Sequence, residues 1–138
     1  MNESWLYGNT DTELYKTSAI SGSDATVTNT EVFTSAVALN IETGAVVDVS
    51  FKGSGATDDF TLKLYKKRSD SFESFDQAIW SSTISNAGAT INFQFTIDDS
   101  YGAGFFRFGM ASTAGNDTFD VDAEMRTYRL TENILSSV

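Results

Sequence analysis

The sequence predicts an all-β protein, a two-sheet antiparallel β-sandwich of jelly-roll-like connectivity with about eight or nine strands. Three observations lead there. Apolar and polar residues alternate with a period of two in one stretch after another, most cleanly where Ile91, Phe93, Phe95 and Ile97 face Asn92, Gln94, Thr96 and Asp98. These stretches recur about every 8 to 12 residues and are separated by clusters of Gly, Asn, Asp and Ser. No stretch carries the period of an amphipathic helix. An immunoglobulin-like sandwich is the alternative arrangement, weakened by the missing Cys…Trp…Cys core.

In chain order, residues 1–13 read as an N-terminal arm, residues 14–130 as the sandwich and residues 131–138 as a C-terminal tail. The arm is polar except for Trp5, Leu6 and Tyr7, a triplet that either tucks against its own core or docks on a neighbour. Strands are expected over residues 14–20, 25–33 and 34–41. Next comes the stretch around which the rest is organised, residues 46–67. Val47, Val49 and Phe51 alternate there with Asp48, Ser50 and Lys52. After the loop 53–59, Phe60, Leu62 and Leu64 alternate with Thr61, Lys63 and Tyr65. This reads as one antiparallel hairpin with a second sheet laid on it.

Residues 69–78 read as a surface segment with one helical turn, pinned by Phe72 and Phe75. A shorter strand over 78–85 leads through a tight turn at Asn86, Ala87 and Gly88 into the strand 90–98. In the strand 105–112, Phe106, Phe108 and Met110 share one face and Phe105 and Arg107 the other. The last strand sets Phe119, Val121, Ala123 and Met125 against Asp120, Asp122 and Glu124. Tyr128 and Leu130 are read as falling on the opposite register, so a bulge is expected near Arg126.

With 138 residues, the chain is long enough for one domain, hiding roughly 68% of its unfolded surface. It has no cysteine, so neither disulfides nor thiolate metal sites arise, and no histidine, which removes Ser-His-Asp catalysis and imidazole ligands. Any catalysis would fall to carboxylates, lysine or tyrosine, and no enzyme activity is expected. The net charge of −10 repels a phosphate backbone and disfavours an anionic membrane, so neither nucleic acid nor membrane is an expected partner. The first residues show no basic region followed by an apolar run, and no apolar stretch is long enough to span a bilayer.

Several residue groups invite chemistry. Asp58, Asp59, Asp98, Asp99, Asp117, Asp120 and Asp122 include enough oxygen ligands for a structural calcium, but none has the spaced form of a calcium loop, and turn-making carboxylates are the plainer reading. No cofactor is expected. Carboxylate pairs of the kind that hydrolyse glycosides arise by chance in so acidic a chain. The acidic row Asp120, Asp122 and Glu124 would need offsetting by Arg107, expected on an adjacent strand, or by Arg126 or Arg129. Lys52, Lys63, Lys66, Lys67 and Arg68 concentrate positive charge, either as an edge that meets an acidic partner or as protection of an exposed strand. Trp5, Tyr65, Tyr101 and Tyr128 are the aromatics considered for a sugar platform.

The run of features VDVSFKGSGATDDFTLKLYKK, the Asp70, Phe72, Phe75, Asp76 segment, Trp80, INFQFTID, YGAGFFRFGM and DTFDVDAEMRTY resembles small structural proteins of tailed-phage virions. The resemblance covers residues 36–130 and implies a non-enzymatic protein of the virion, assembled in the host cytoplasm, that decorates or cements a capsid. It implies a homo-oligomer, trimers included, and other virion proteins such as the major capsid protein as partners. The expected contacts are Trp5, Leu6, Tyr7, Lys63, Lys66, Lys67, Arg68, Arg107 and Arg126, together with the C-terminal tail. A carbohydrate-binding or adhesion module is the alternative.

Overall fold

A computed structural model describes residues 10–16, 27–40, 43–73 and 76–129. Within them, nine strands form two facing antiparallel sheets. Sheet A contains, in spatial order, β1 (Thr10–Lys16), β9 (Phe119–Arg129), β4 (Thr43–Gly53) and β7 (Ile91–Ile97). Sheet B contains β2 (Val32–Phe33), β8 (Gly104–Ser112), β5 (Phe60–Lys67) and β6 (Trp80–Ile84), with β3 (Val37–Leu39) also paired to β8. A 3₁₀ turn at Asp99–Tyr101 is the one helical element among the described residues. The two-sheet, jelly-roll-like sandwich is therefore the architecture.

Strand faces follow the alternation. Ala45, Val47, Val49 and Phe51 of β4 and Phe119, Val121, Ala123 and Met125 of β9 are buried, opposite Phe60, Leu62 and Leu64 of β5 and Phe106, Phe108 and Met110 of β8. Burial of each valine, leucine, methionine and phenylalanine among them contributes about 1.5–3 kcal/mol. The core is anchored at one end by three rings: Phe51 stacks on Phe60 at 4.2 Å, and Phe119 meets both edge-on at 5.7 and 5.3 Å. That edge-to-face geometry aligns the positive rim of one ring with the negative face of another.

Connectivity departs from expectation. β4 and β5 do not form a hairpin: β4 lies between β9 and β7 in sheet A, and β5 between β8 and β6 in sheet B. The loop 54–59 arches across the sandwich, so Phe51 and Phe60 face each other through the core and are not neighbours along a ladder. The turn at Asn86, Ala87 and Gly88 likewise carries the chain from β6 in sheet B to β7 in sheet A. Because β8 and β9 also lie in different sheets, Arg107 is not adjacent to Asp120, Asp122 and Glu124.

Strand limits differ too. The first strand begins at Thr10, ahead of the expected residue 14. The expected 25–33 and 34–41 strands shrink to an isolated bridge between Val27 and Phe119 and the short β2 and β3. Register between β4 and β9 runs unbroken from Thr43 opposite Arg129 to Gly53 opposite Phe119, so there is no bulge at Arg126. The alternation simply continues, with Tyr128 on the outer face over Gly44, where a Cβ would lie 2.7 Å from the ring. The irregularity falls instead on β1, between Glu13 and Tyr15. Of the segment 69–78, residues 74 and 75 lie outside the described residues, and the expected helical turn with its Phe75 lies there with them; Phe72 packs under Arg107.

Candidate functional site

At one end of the sandwich two loops lock each other. The Asp58 carboxylate, 2% exposed, accepts hydrogen bonds from the Ser112 hydroxyl at 2.8 Å, the Asn116 and Asp117 N–H groups at 2.6 and 2.7 Å, and the Asn116 side-chain amide at 3.1 Å. Asp117, 5% exposed, accepts in return from the Thr57 and Asp58 N–H groups at 2.7 and 2.8 Å. Asn86, where the chain crosses between sheets, donates to the Gly55 and Asp58 carbonyls at 2.7 and 3.0 Å. Burial pushes the Asp58 pKa upward, but the hydrogen bonds from Asp117, Ser112 and Asn116 outweigh it and hold the group at about 2.

Every contact on these carboxylates comes from a donor, an arrangement suited to an anion already satisfied by the protein. Asp98, at the opposite end, accepts hydrogen bonds from the Ser100 hydroxyl and, at 3.0 Å, from the Ser100 N–H, and the two together lower its pKa. Of the aspartates weighed as calcium ligands, Asp58 and Asp117 serve the interlocked loops and Asp98 a turn at the other end. Among the described residues no group of three or more carboxylates gathers to hold a metal.

The outer face of sheet B holds the most unusual side-chain group. The Arg107 guanidinium lies 3.7 Å from the Phe33 ring centre, 4.5 Å from that of Phe72 and 5.7 Å from that of Tyr65. Beside it the Tyr65 hydroxyl donates to Glu31 at 2.7 Å. Burial, reinforced by the Glu31 carboxylate, raises the Tyr65 pKa against the opposing pull of Arg107. Gly109 makes this crossing possible, since a Cβ there would collide with the Glu31 carboxylate. Next to this group a groove of about 380 Å³ is lined chiefly by Asn29, Glu31, Thr61, Lys63, Ser112 and Thr113.

The third feature is the side of the sandwich where β6 and β7 lie. Among the described residues β6 pairs only with β5 and β7 only with β4. Between them Trp80 sits 4.3 Å from Phe95 and 6.0 Å from Phe93, and Tyr101 6.0 Å from Phe95. These rings join the core but remain half-buried, and Ile79 beside them is 46% exposed.

The residues expected to form contacts are dispersed. Trp5, Leu6, Tyr7 and the tail 131–138 lie outside the described residues. β5 is an inner strand, so its lysines protect no edge, and alternation divides them between faces. Lys63 lines the groove; Lys66 donates to the Tyr101 carbonyl at 2.7 Å; Lys67 donates to the Ser71 carbonyl and to Asp76 at 3.0 and 3.2 Å. Arg68 is exposed. Arg126 bonds Asp48 at 2.8 Å and Glu124 at 3.5 Å, supplying the offset expected for the acidic row.

The three described tyrosines considered for a sugar platform lie apart, each packed against a different part of the sandwich. Tyr65 is buried, Tyr101 packs on the core and Tyr128 covers Gly44. Sequence reasoning missed the Asp58, Asn86 and Asp117 lock, the Glu31 and Tyr65 pair, and the open side. The last was within reach, for residues 80–84 and 91–97 contain no charged residue in a chain that is 20% charged.

No protein-family model matches this chain, and no curated protein matches it significantly. Solved structures do. A chain of the infectious bursal disease virus Gx strain is 8% identical, with 89% of this chain and 32% of that one covered, at a TM-score of 0.51. This chain thus spans about a third of the viral one. The CBM36-1 domain of a multidomain xylanase from the hindgut metagenome of Trinervitermes trinervoides is 8% identical, with 86% and 95% covered and a TM-score of 0.51. A cleaved adhesin domain of Lys-gingipain from Porphyromonas gingivalis is 12% identical, with 86% and 71% covered and a TM-score of 0.50. Likeness at these identities is likeness of fold.

Proposed function

We propose that this chain is a non-catalytic structural subunit whose work is contact with copies of itself and with other proteins of an assembly, a virion shell being the setting its sequence resembles. The observation that carries the reading is the open side at β6 and β7. A protein of net charge −10 leaves two neighbouring strands uncharged and a row of core aromatics half covered between them. Apolar surface left at a sheet edge is what an assembly contact removes from water. The likeness in fold to a virus chain supports this setting without identifying it.

Sedimentation velocity across the micromolar range tests the reading. Concentration-dependent growth beyond one copy is expected. A protein that stays monomeric throughout would overturn self-association.

A second reading rests on the groove of sheet B. Glu31, Asn29, Lys63, Thr61 and Thr113 converge there as hydrogen-bonding groups, and the likeness in fold to a domain of a xylanase favours a sugar as their ligand. Glycan-array binding that is lost in Glu31→Ala but kept in Ser81→Ala would support it. An array without signal removes it.

A further inference from the structure

We infer that β7 is the edge through which two copies join, pairing antiparallel with its own counterpart about a two-fold axis at Gln94. The inference rests on the self-association reading and names the surface that carries it. Unpaired edges are normally guarded by charge, proline, bulges or brevity. Among the described residues the two sheets have four edges, and three have such guards. The sequence of β1 includes Asp11, Glu13 and Lys16, and its register breaks between Glu13 and Tyr15. On the far side of sheet B, β2 and β3 are strands of two and three residues. β6 has only five residues.

β7 has none of these guards. It runs for seven residues, INFQFTI, without charge or proline. Its register with β4 is unbroken, from Ala45 opposite Ile97 to Phe51 opposite Ile91.

What occupies this edge follows from the order of its residues. Set antiparallel against itself about Gln94, Ile91 meets Ile97, Asn92 meets Thr96 and Phe93 meets Phe95. Each face therefore continues into a like face. Half-buried Ile91, Phe93 and Phe95 extend the apolar layer of sheet A, while Asn92, Gln94 and Thr96 extend its polar side. No like charges are opposed, although two copies of net charge −10 repel elsewhere. A contact of this kind is isologous and makes pairs. The trimer expected from the resemblance would need another surface.

Charge placed on the polar face of β7 tests this while leaving the core untouched. Asn92→Lys with Thr96→Lys sets lysine against lysine twice across the axis; Asn92→Glu with Thr96→Glu sets glutamate against glutamate. Both side chains are exposed, so each double variant is expected to keep the wild-type thermal transition within a few degrees. In sedimentation velocity each variant alone should lose the pair, with at least a tenfold weaker association, and an equimolar mixture should recover it.

A wild-type protein that associates while the lysine double variant associates equally well overturns the β7 contact and leaves the self-association reading standing. Loss of pairing in both variants without recovery in the mixture overturns the two-fold register, and points to a different strand, such as a terminal segment of a neighbour, at this edge. A wild-type monomer removes both.

Discussion

Asp58 and Asp117 stand 59 residues apart in the chain, yet each supplies the acceptor for the other's loop. In Asp58→Asn an amide NH₂ can replace the Oδ2 oxygen that receives two backbone N–H groups, leaving buried donors unpaired. The melting temperature should fall by several degrees, read by differential scanning calorimetry. The pH dependence has a definite sign. Because the folded-state pKa is depressed from 3.8 to about 2, the contribution of Asp58 is fully present above pH 3.8 and lost as pH falls through about 2. Melts between these limits should be steeper in pH for the wild type than for Asp58→Asn.

Arg107 offers a second test. Its guanidinium covers the rings of Phe33 and Phe72, and Arg107→Ala should cost about 1 kcal/mol in urea denaturation. Arg107→Lys should recover only part of that, because a compact ammonium does not stack on two rings. Nothing in the sequence near residue 58 announced the lock. Aspartate doublets are read as turns or as ion ligands from local spacing, and the partner that decides between them is remote.

Among the strands, alternation identified the inward residues of β4, β5, β7, β8 and β9, which are buried or, for Ile91, Phe93 and Phe95, half-buried; Tyr65, read as outward, is buried as well, beside Glu31 and Arg107. It said nothing of which sheet each strand joins. A period of two reports which side of a strand is dry, and in a sandwich both sheets turn their dry sides to the same core. Residues 46–67 therefore looked like a hairpin when they are an arch, with Phe51 and Phe60 stacked across the core.

A pair of truncations separates the middle of the core from its open side. Phe51→Ala, at a fully buried site where three rings meet, should cost about 3–5 kcal/mol. Phe93→Ala, at a half-buried site on β7, should cost about half as much in the monomer, while weakening association at the same time. Equilibrium unfolding at two protein concentrations distinguishes the two. Only in the Phe93 variant should the wild-type gain in stability with concentration be lost.

At the level of the assembled protein, acidity and the neutral edge act in opposite directions. Long-range repulsion between copies of net charge −10 opposes approach, and salt screens it over a Debye length of about 10 Å at 0.1 M. The contact itself contains no charge to be screened. Association should therefore strengthen as salt rises from millimolar to physiological levels, the reverse of what ion-paired interfaces show. Joining two copies along β7 would turn two four-stranded sheets into one continuous sheet and cover the edge that is unpaired among the described residues. Residue-resolved amide hydrogen exchange in concentrated and dilute solution tests this most directly. Those amides of residues 91–97 that point away from β4 should lose protection on dilution, while those bonded to β4 and those of β9 keep theirs; equal protection of the outward-pointing amides at both concentrations would contradict the β7 contact.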